Sequence, residues 1–252
     1  MVAISSLAVN LTPKRSFEPP PKNVPADVIL SVALLGHKYE VQHLRRRSIL
    51  HIERNYSMDM DTFMSRRTRN KGLWFRNFET LLRIIVTATY INALWVLPAA
   101  YYLCSDATPS HLLRDTSSWN SSHRAAVLRN VLAGKINLEF MDVAFEDLIG
   151  TPPCSGCICR EQCALSKLAA LRDVRSLFTR AGPDRKPHTL GRWWHRHYLK
   201  VELCKGLCAP CSSACMSAYE SARGDYWDKI PSAFNLPSWK ELKSLRETTF
   251  RD

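Results

Sequence analysis

The chain has 252 residues, of which 46% are hydrophobic and 10% aromatic, so it is long enough for one large domain or two small ones with a buried core. Only 9 of the residues are glycine, and alternating strand-like runs are scarce, which argues against a β-sandwich or a barrel. We therefore predict a mainly α fold, an irregular multi-helix domain with proline-rich and cysteine-bearing loops.

The net charge of +12 is spread along the chain. A basic balance permits contact with nucleic acid, anionic lipid or an acidic protein, and it selects none of them. The first residues lack the basic region and the long apolar region of a secretory signal. Nine cysteines are also an awkward number for a closed disulfide framework. We expect an intracellular protein of the nucleus or cytoplasm, without a secretory signal.

In chain order, the sequence divides into four parts. Residues 1–24 are proline-rich and predict an irregular lead-in. Residues 25–54 predict a pair of helices, and residues 55–77, which alternate Met and Asp and then turn basic, predict a mobile loop. Residues 78–252 predict a helical C-terminal region that carries two cysteine clusters.

The most apolar part of the chain is the stretch Ile84–Cys104, which contains no charged residue. Its length suffices to cross a bilayer, which takes roughly 20 apolar residues. Pro98 lies inside it, however, and proline is tolerated at the start of a helix and disruptive in its middle. We therefore predict two packed helices, about 78–92 and 96–104, at the centre of the core, with a single membrane span as the alternative.

Later segments predict further helices. Gly134 is interpreted as a stop between one helix over 125–132 and another over 136–148. Beyond the first cysteine cluster, leucines at a spacing of three, including Leu165 and Leu168, predict an amphipathic helix.

The cysteines are the most specific chemical signal in the chain. The first cluster is Cys-x2-Cys-x-Cys-x3-Cys and the second is Cys-x3-Cys-x2-Cys-x3-Cys. A Cys-x2-Cys pair from each cluster would supply four thiolates to one tetrahedral zinc ion. The metal-ligand candidates are Cys154, Cys157, Cys159, Cys163, Cys208 and Cys211.

Other interpretations of the cysteines stay open. Cys204, Cys208, Cys211 and Cys215 recur at helical spacing, so they also fit buried thiols acting as small hydrophobic residues. Histidines of the 188–197 segment would be replacement ligands or plain surface residues.

No phosphate-binding glycine loop, GxSxG or HExxH motif occurs, and we expect no catalysis. The basic aromatic run over 192–198 fits either a nucleic-acid surface or tryptophans anchored in the core.

Several segments together resemble a large family of mushroom-type fungal BTB/POZ proteins. The run LLGHKYEVQHLRRRSIL is similar to the last helical pair of the BTB domain in that family. The other similar segments are Ser16–Pro21, Ala93–Cys104, Leu207–Cys211, Trp227–Pro231 and Phe234–Trp239.

This resemblance implies a protein–protein interaction or adaptor role without an assigned reaction. About 24 residues precede the helical pair, so the chain looks like a truncated member in which most of the BTB fold is missing. Homodimerisation through the BTB sheet is therefore not expected. The family's cysteine pairs in the same regions imply a zinc or structural thiol role. The alternative functions are a zinc-dependent, nucleic-acid-binding transcription regulator and a single-span membrane protein; neither nucleic acid nor a membrane is the favoured partner.

Overall fold

The described part of the protein is a bundle of helices of unequal length in a computed structural model. No strand occurs among the described residues, which confirms the prediction of a mainly α, irregular multi-helix fold. The structure describes residues 24–69, 78–105, 125–138, 151–181 and 204–251, together with positions 20, 107, 110 and 112.

The first two helices form a hairpin. Helix α1 spans Ala26–Lys38 and helix α2 spans Gln42–Glu53. Gly36 lies where they cross, and a Cβ atom there would lie 2.7 Å from the backbone nitrogen of Arg45. The absence of a side chain at Gly36 therefore sets how closely the two helices approach. The turn between them passes through Glu40, whose φ of 56° is in the left-handed region.

The segment that follows the hairpin is only partly as predicted. The sequence predicts a mobile loop over 55–77, but helix α3 spans Met60–Arg69. Asp59 precedes this helix, and its Oδ1 accepts a hydrogen bond of 2.8 Å from the N–H of Thr62, which is an N-cap interaction. Phe63 is fully buried against the ring of Trp227, with ring centroids 5.2 Å apart. A cap and one buried aromatic side chain thus make a helix of a segment that looked like a polar loop.

The apolar stretch is broken into short helices, as predicted. Helix α4 spans Phe78–Tyr90, a 3-10 turn spans Leu94–Val96, and helix α5 spans Leu97–Ser105. Pro98 lies in the first turn of α5, and every residue of α5 is buried. Within the part of the chain that the structure describes, no helix has the length and apolar character needed to span a bilayer.

Residues 125–138 form one helix, α6, that continues through Gly134. The prediction that Gly134 ends a helix is therefore wrong, and most of the second helix predicted there lies outside the described residues. A Cβ atom at Gly134 would lie 2.0 Å from two carbons of the Phe234 ring. This glycine is present because an aromatic ring packs directly against the helix backbone.

Three helices complete the described part: α7, Arg160–Ala181; α8, Ala209–Ala233; and α9, Trp239–Arg251. The C-terminal half of α8 joins the main core, where the Trp227 ring stacks on Trp239 with centroids 5.1 Å apart. The Trp227 indole also donates a hydrogen bond of 3.0 Å to the carbonyl of Met58. Residues 58–63 and helix α8, which are far apart in the sequence, thus pack together beside helix α5.

Candidate metal centre

The first cysteine segment combines a tight turn with the start of a helix. The N–H of Cys157 donates to the carbonyl of Cys154 at 3.0 Å, which folds Cys154 to Cys157 into a turn. Cys159 directly precedes helix α7, and the N–H of Cys163 donates to its carbonyl at 3.0 Å. Four thiols thus lie within a turn and the first helical turn that follows it.

The second cysteine segment is built in the same way. Gly206 has a φ of 80°, which lets the chain turn between Cys204 and Cys208. Cys208 is the N-cap residue of helix α8, Pro210 lies in the first turn, and Cys211 follows. Both cysteine segments therefore present their thiols at the N-terminus of a helix, where exposed N–H groups favour negative charge.

Four of these thiols meet in one place. The sulfur atoms of Cys157, Cys163, Cys208 and Cys211 all lie within 4.8 Å of one another, close enough to hold a metal ion. The Sγ atoms of Cys208 and Cys157 are 3.8 Å apart. Two ligands at about 2.3 Å from a tetrahedral zinc ion would be about 3.8 Å apart, so the spacing fits such an ion. We call these residues the inner four.

Two further predicted ligands lie beside the inner four. The Sγ of Cys154 is 3.5 Å from that of Cys211, and the Sγ of Cys159 is 3.5 Å from that of Cys163. All six cysteines singled out from the sequence therefore belong to one six-thiol cluster. The detailed pairing differs from the sequence interpretation, because Cys163 rather than Cys154 completes the group with Cys157 and the second segment.

Crowding of the sulfurs shifts their acidities in opposite directions. The pKa of Cys208 is lowered to about 6, mainly because the backbone N–H groups of Cys211 and Ile158 donate to its sulfur. Burial raises the pKa of Cys157 to about 12. The hydrogen bond with Cys163 is the main reason that the pKa of Cys159 rises to about 11. Without a cation the thiols cannot all ionise together, and a bound divalent ion would remove this conflict.

A buried lysine, which the sequence analysis did not single out, fastens the first cysteine segment to its helix. Lys167 is only 9% exposed. Its Nζ donates to the carbonyl and the hydroxyl oxygen of Thr151, at 2.9 and 3.1 Å. One residue earlier, the Ser166 hydroxyl donates to the carbonyl of Gly206 at 3.2 Å. Helix α7 therefore contacts both cysteine segments, and the signal in the sequence was the spacing of four between Cys163 and Lys167.

Three cysteines lie outside the six-thiol cluster. Cys104 is buried in the main core. Cys204 and Cys215 are both buried, and the pKa of Cys215 is raised to about 11, first by burial and then by Cys204. Cys211, Cys215 and Tyr219 lie buried along one face of α8, so the interpretation of these thiols as small buried residues fits this helix as well.

Apolar packing around the cluster is sparse. The cysteine segments and the helix turns next to them bury few large apolar side chains, and the Leu165 and Leu168 side chains of α7 are 63% and 62% exposed. The buried face of α7 carries Cys163, Lys167 and Ala170 instead. Among the described residues, the buried apolar side chains outside the main hydrophobic core are those of Cys163, Ala170, Cys204, Cys211, Cys215 and Tyr219.

The candidate histidine ligands and the basic aromatic run at 192–198 lie outside the described residues. No family model matches this chain, and no curated protein or solved structure does so either.

Proposed function

We propose that this protein is a non-catalytic protein-interaction protein of BTB/POZ-like adaptor type, with a cysteine-bearing region folded around structural zinc. The observation that carries the proposal is the meeting of the inner four, whose sulfurs come from two segments far apart in sequence and lie within 4.8 Å of one another.

The ligand set favours zinc in a structural role. Four soft thiolates in a compact group suit zinc better than magnesium or calcium, which prefer oxygen ligands. Four protein thiolates also fill a tetrahedral coordination sphere, and a catalytic zinc needs an open position for water or substrate. A centre of this composition would hold two chain segments together without performing a reaction.

Stability points in the same direction. Among the described residues, the buried apolar side chains near the cluster are mostly cysteines, and they contribute little hydrophobic stabilisation. Structural zinc in small domains contributes about 10–16 kcal/mol, which exceeds what a few buried thiols would give. Small cores of this kind usually need a metal or a disulfide, and the cysteines of the described segments are unbridged.

The acidic residues of the described part support a non-catalytic role. The Glu53 carboxylate accepts two hydrogen bonds from Arg246, and Glu220 pairs with Arg223 at 2.8 Å. Asp59 caps α3, as described above. Carboxylates engaged in ion pairs and helix caps serve the fold and are not poised for acid–base chemistry.

An interaction role is supported by exposed apolar side chains next to the cluster. Leu165 and Leu168 lie on the same helix as Cys163 and project outward, and Ile158 is 81% exposed between two cysteines. Exposed apolar groups on a rigid, metal-held element are typical of protein-binding surfaces. The segments that resemble BTB/POZ proteins imply the same class of function.

The metal part of the proposal is tested by elemental analysis of the purified full chain. We expect zinc to co-purify with the wild type and to be largely lost from Cys208→Ser. Cys104→Ser is the matched control, because that thiol is buried in the main core and should leave the zinc content unchanged. Wild-type protein that is folded, purified without chelator and free of zinc would refute the structural metal.

The interaction part is tested by quantitative cross-linking in cells that express the full chain. A Leu165→Glu/Leu168→Glu variant should lose specific cross-linked partners while retaining its zinc. Ile136→Glu is the control, because Ile136 is 55% exposed on a different helix. Identical partner profiles for all three proteins would contradict an interaction surface on α7.

A further inference from the structure

We propose that the six-thiol cluster binds two divalent metal ions that share two bridging thiolates, rather than a single ion. This inference rests on the proposed function, because it assumes that the inner four bind metal. The ligands are Cys154, Cys157, Cys159, Cys163, Cys208 and Cys211.

The number of thiols in contact exceeds what one ion can use. A tetrahedral ion takes four thiolates. Cys154 and Cys159 would then be left over, although each lies 3.5 Å from a sulfur of the inner four. That distance is close to the separation of about 3.8 Å between two ligands of the same tetrahedral ion, and it is far beyond the S–S bond length of about 2.05 Å. The two outer thiols are thus close enough to serve as further ligands.

Six thiolates can satisfy two tetrahedral ions only when two of the sulfurs serve both. Cys154 and Cys211 form one close pair, and Cys159 and Cys163 form the other. The other two thiols of the cluster are Cys157 and Cys208, whose sulfurs are 3.8 Å apart.

The inner four include one sulfur of each close pair. Cys157 and Cys208 therefore each lie within 4.8 Å of both Cys163 and Cys211. The N–H of Cys208 also donates to the sulfur of Cys163 at 3.3 Å. Cys163 and Cys211 are also this close to each other, but each of them has an outer partner. Cys157 and Cys208 lie outside both close pairs, so we assign them as the bridging ligands, with one close pair on each ion.

The charges favour two ions as much as one. Four thiolates around one divalent ion carry a net charge of −2. A second ion adds two positive charges, and ionising Cys154 and Cys159 adds two negative charges, so the net charge stays at −2. Binding of two ions leaves all six cysteines as thiolates and releases to solvent the protons of those that were still thiols. The N-termini of α7 and α8 both begin at the cluster and stabilise the remaining negative charge.

The test is the metal-to-protein ratio of the full chain after titration of the metal-free protein with Zn²⁺ under reducing conditions. We expect saturation at two equivalents. Saturation at one equivalent would overturn the two-ion cluster and leave the proposed structural zinc intact, and no binding would overturn both. Titration with ¹¹³Cd²⁺ should then give two NMR resonances that are scalar-coupled through the bridging sulfurs. Two uncoupled resonances would overturn the shared thiolates.

Variants distinguish the cluster from two separate sites. A Cys154→Ser/Cys159→Ser protein should bind only one equivalent of Zn²⁺ and lose the cadmium–cadmium coupling. A Cys204→Ser/Cys215→Ser protein is the matched control, because these neighbouring buried thiols lie outside the cluster. It should still bind two equivalents, and a fall to one would place the second ion at Cys204 and Cys215 and overturn the proposal. Circular dichroism of each zinc-loaded variant verifies that it is folded.

Discussion

Replacing Gly134 by alanine should destabilise the protein, although the residue lies inside a helix. In an exposed helix interior, glycine to alanine stabilises by about 1 kcal/mol. At Gly134 the new Cβ would lie 2.0 Å from the Cδ1 and Cε1 atoms of Phe234. That ring cannot easily retreat, because it is buried and stacked on Tyr101 with centroids 5.3 Å apart.

The two effects have opposite signs, and the steric effect should win. Overpacking of a filled core costs about 1–3 kcal/mol, and an overlap of this depth belongs at the upper end. After the gain in helix propensity is subtracted, Gly134→Ala should lower the free energy of unfolding by about 2 kcal/mol. Gly224 offers a matched control, since it lies inside helix α8 and a Cβ there would meet nothing within 4 Å. Gly224→Ala should therefore raise stability by about 1 kcal/mol.

Urea unfolding of the zinc-loaded protein, followed by circular dichroism, measures both changes. The expected separation between the two variants is about 3 kcal/mol. In a double-mutant cycle, Phe234→Leu should relieve part of the penalty of Gly134→Ala, because the smaller side chain leaves room for the methyl group. If both glycine variants stabilise the protein equally, the packing of Phe234 against helix α6 is wrong.

Three further predictions concern the ends of helices and one partly buried ion pair. Glu53→Ala should destabilise the protein by about 2–3 kcal/mol, measured by urea unfolding, because the Glu53 carboxylate accepts hydrogen bonds from Trp95 and Arg246; an unchanged midpoint would contradict that contact. Asp59→Ala should cost about 1 kcal/mol through loss of the α3 cap, and Asp59→Asn should largely restore it. The Ser238 hydroxyl and N–H donate hydrogen bonds to the Glu241 carboxylate and lower its pKa. The stability that these hydrogen bonds contribute is present above the ordinary pKa of 4.5 and is lost as pH falls through the lowered pKa. In the Glu241→Gln variant, the thermal midpoint should depend less on pH over that acidic range. A pH profile identical to that of the wild type would refute the cap.

Local patterns in the sequence predicted the helical class, the hairpin and the break in the apolar stretch. Pro98 was informative because the chemistry of proline acts on its own helix and needs no distant partner. The gathering of the two cysteine clusters was predicted as well, since paired Cys-x2-Cys motifs have few other uses.

Features that depend on distant contacts could not be predicted in this way. Helix α3 is stabilised by Phe63, whose partner Trp227 lies far along the chain. Gly134 has a pattern typical of a helix stop, and only the position of the Phe234 ring explains why the helix continues. The exposure of Leu165 could not be predicted either. An apolar stripe on a helix predicts a buried face, and nothing in the sequence indicates that the cysteine-bearing face of α7 is the one packed against the rest of the molecule. A local signal was overlooked at Ser238-x-x-Glu241, which is a capping box.

The packing of residues 53–58 against residues 227–246 has a consequence for the biosynthesis of the protein. The carbonyl of Met58 is hydrogen-bonded to Trp227, and Glu53 is paired with Arg246 near the C-terminus. At translation rates of 5–20 residues per second, Trp227 is synthesised roughly 10 to 30 seconds after Met58. During that interval α5 is made before the α8 side chains that pack on it, such as Tyr226 against Tyr102. The apolar surface of α5 that these side chains cover therefore stays open until α8 has been made, and the yield of the protein in cells should depend on the chaperones that bind nascent chains.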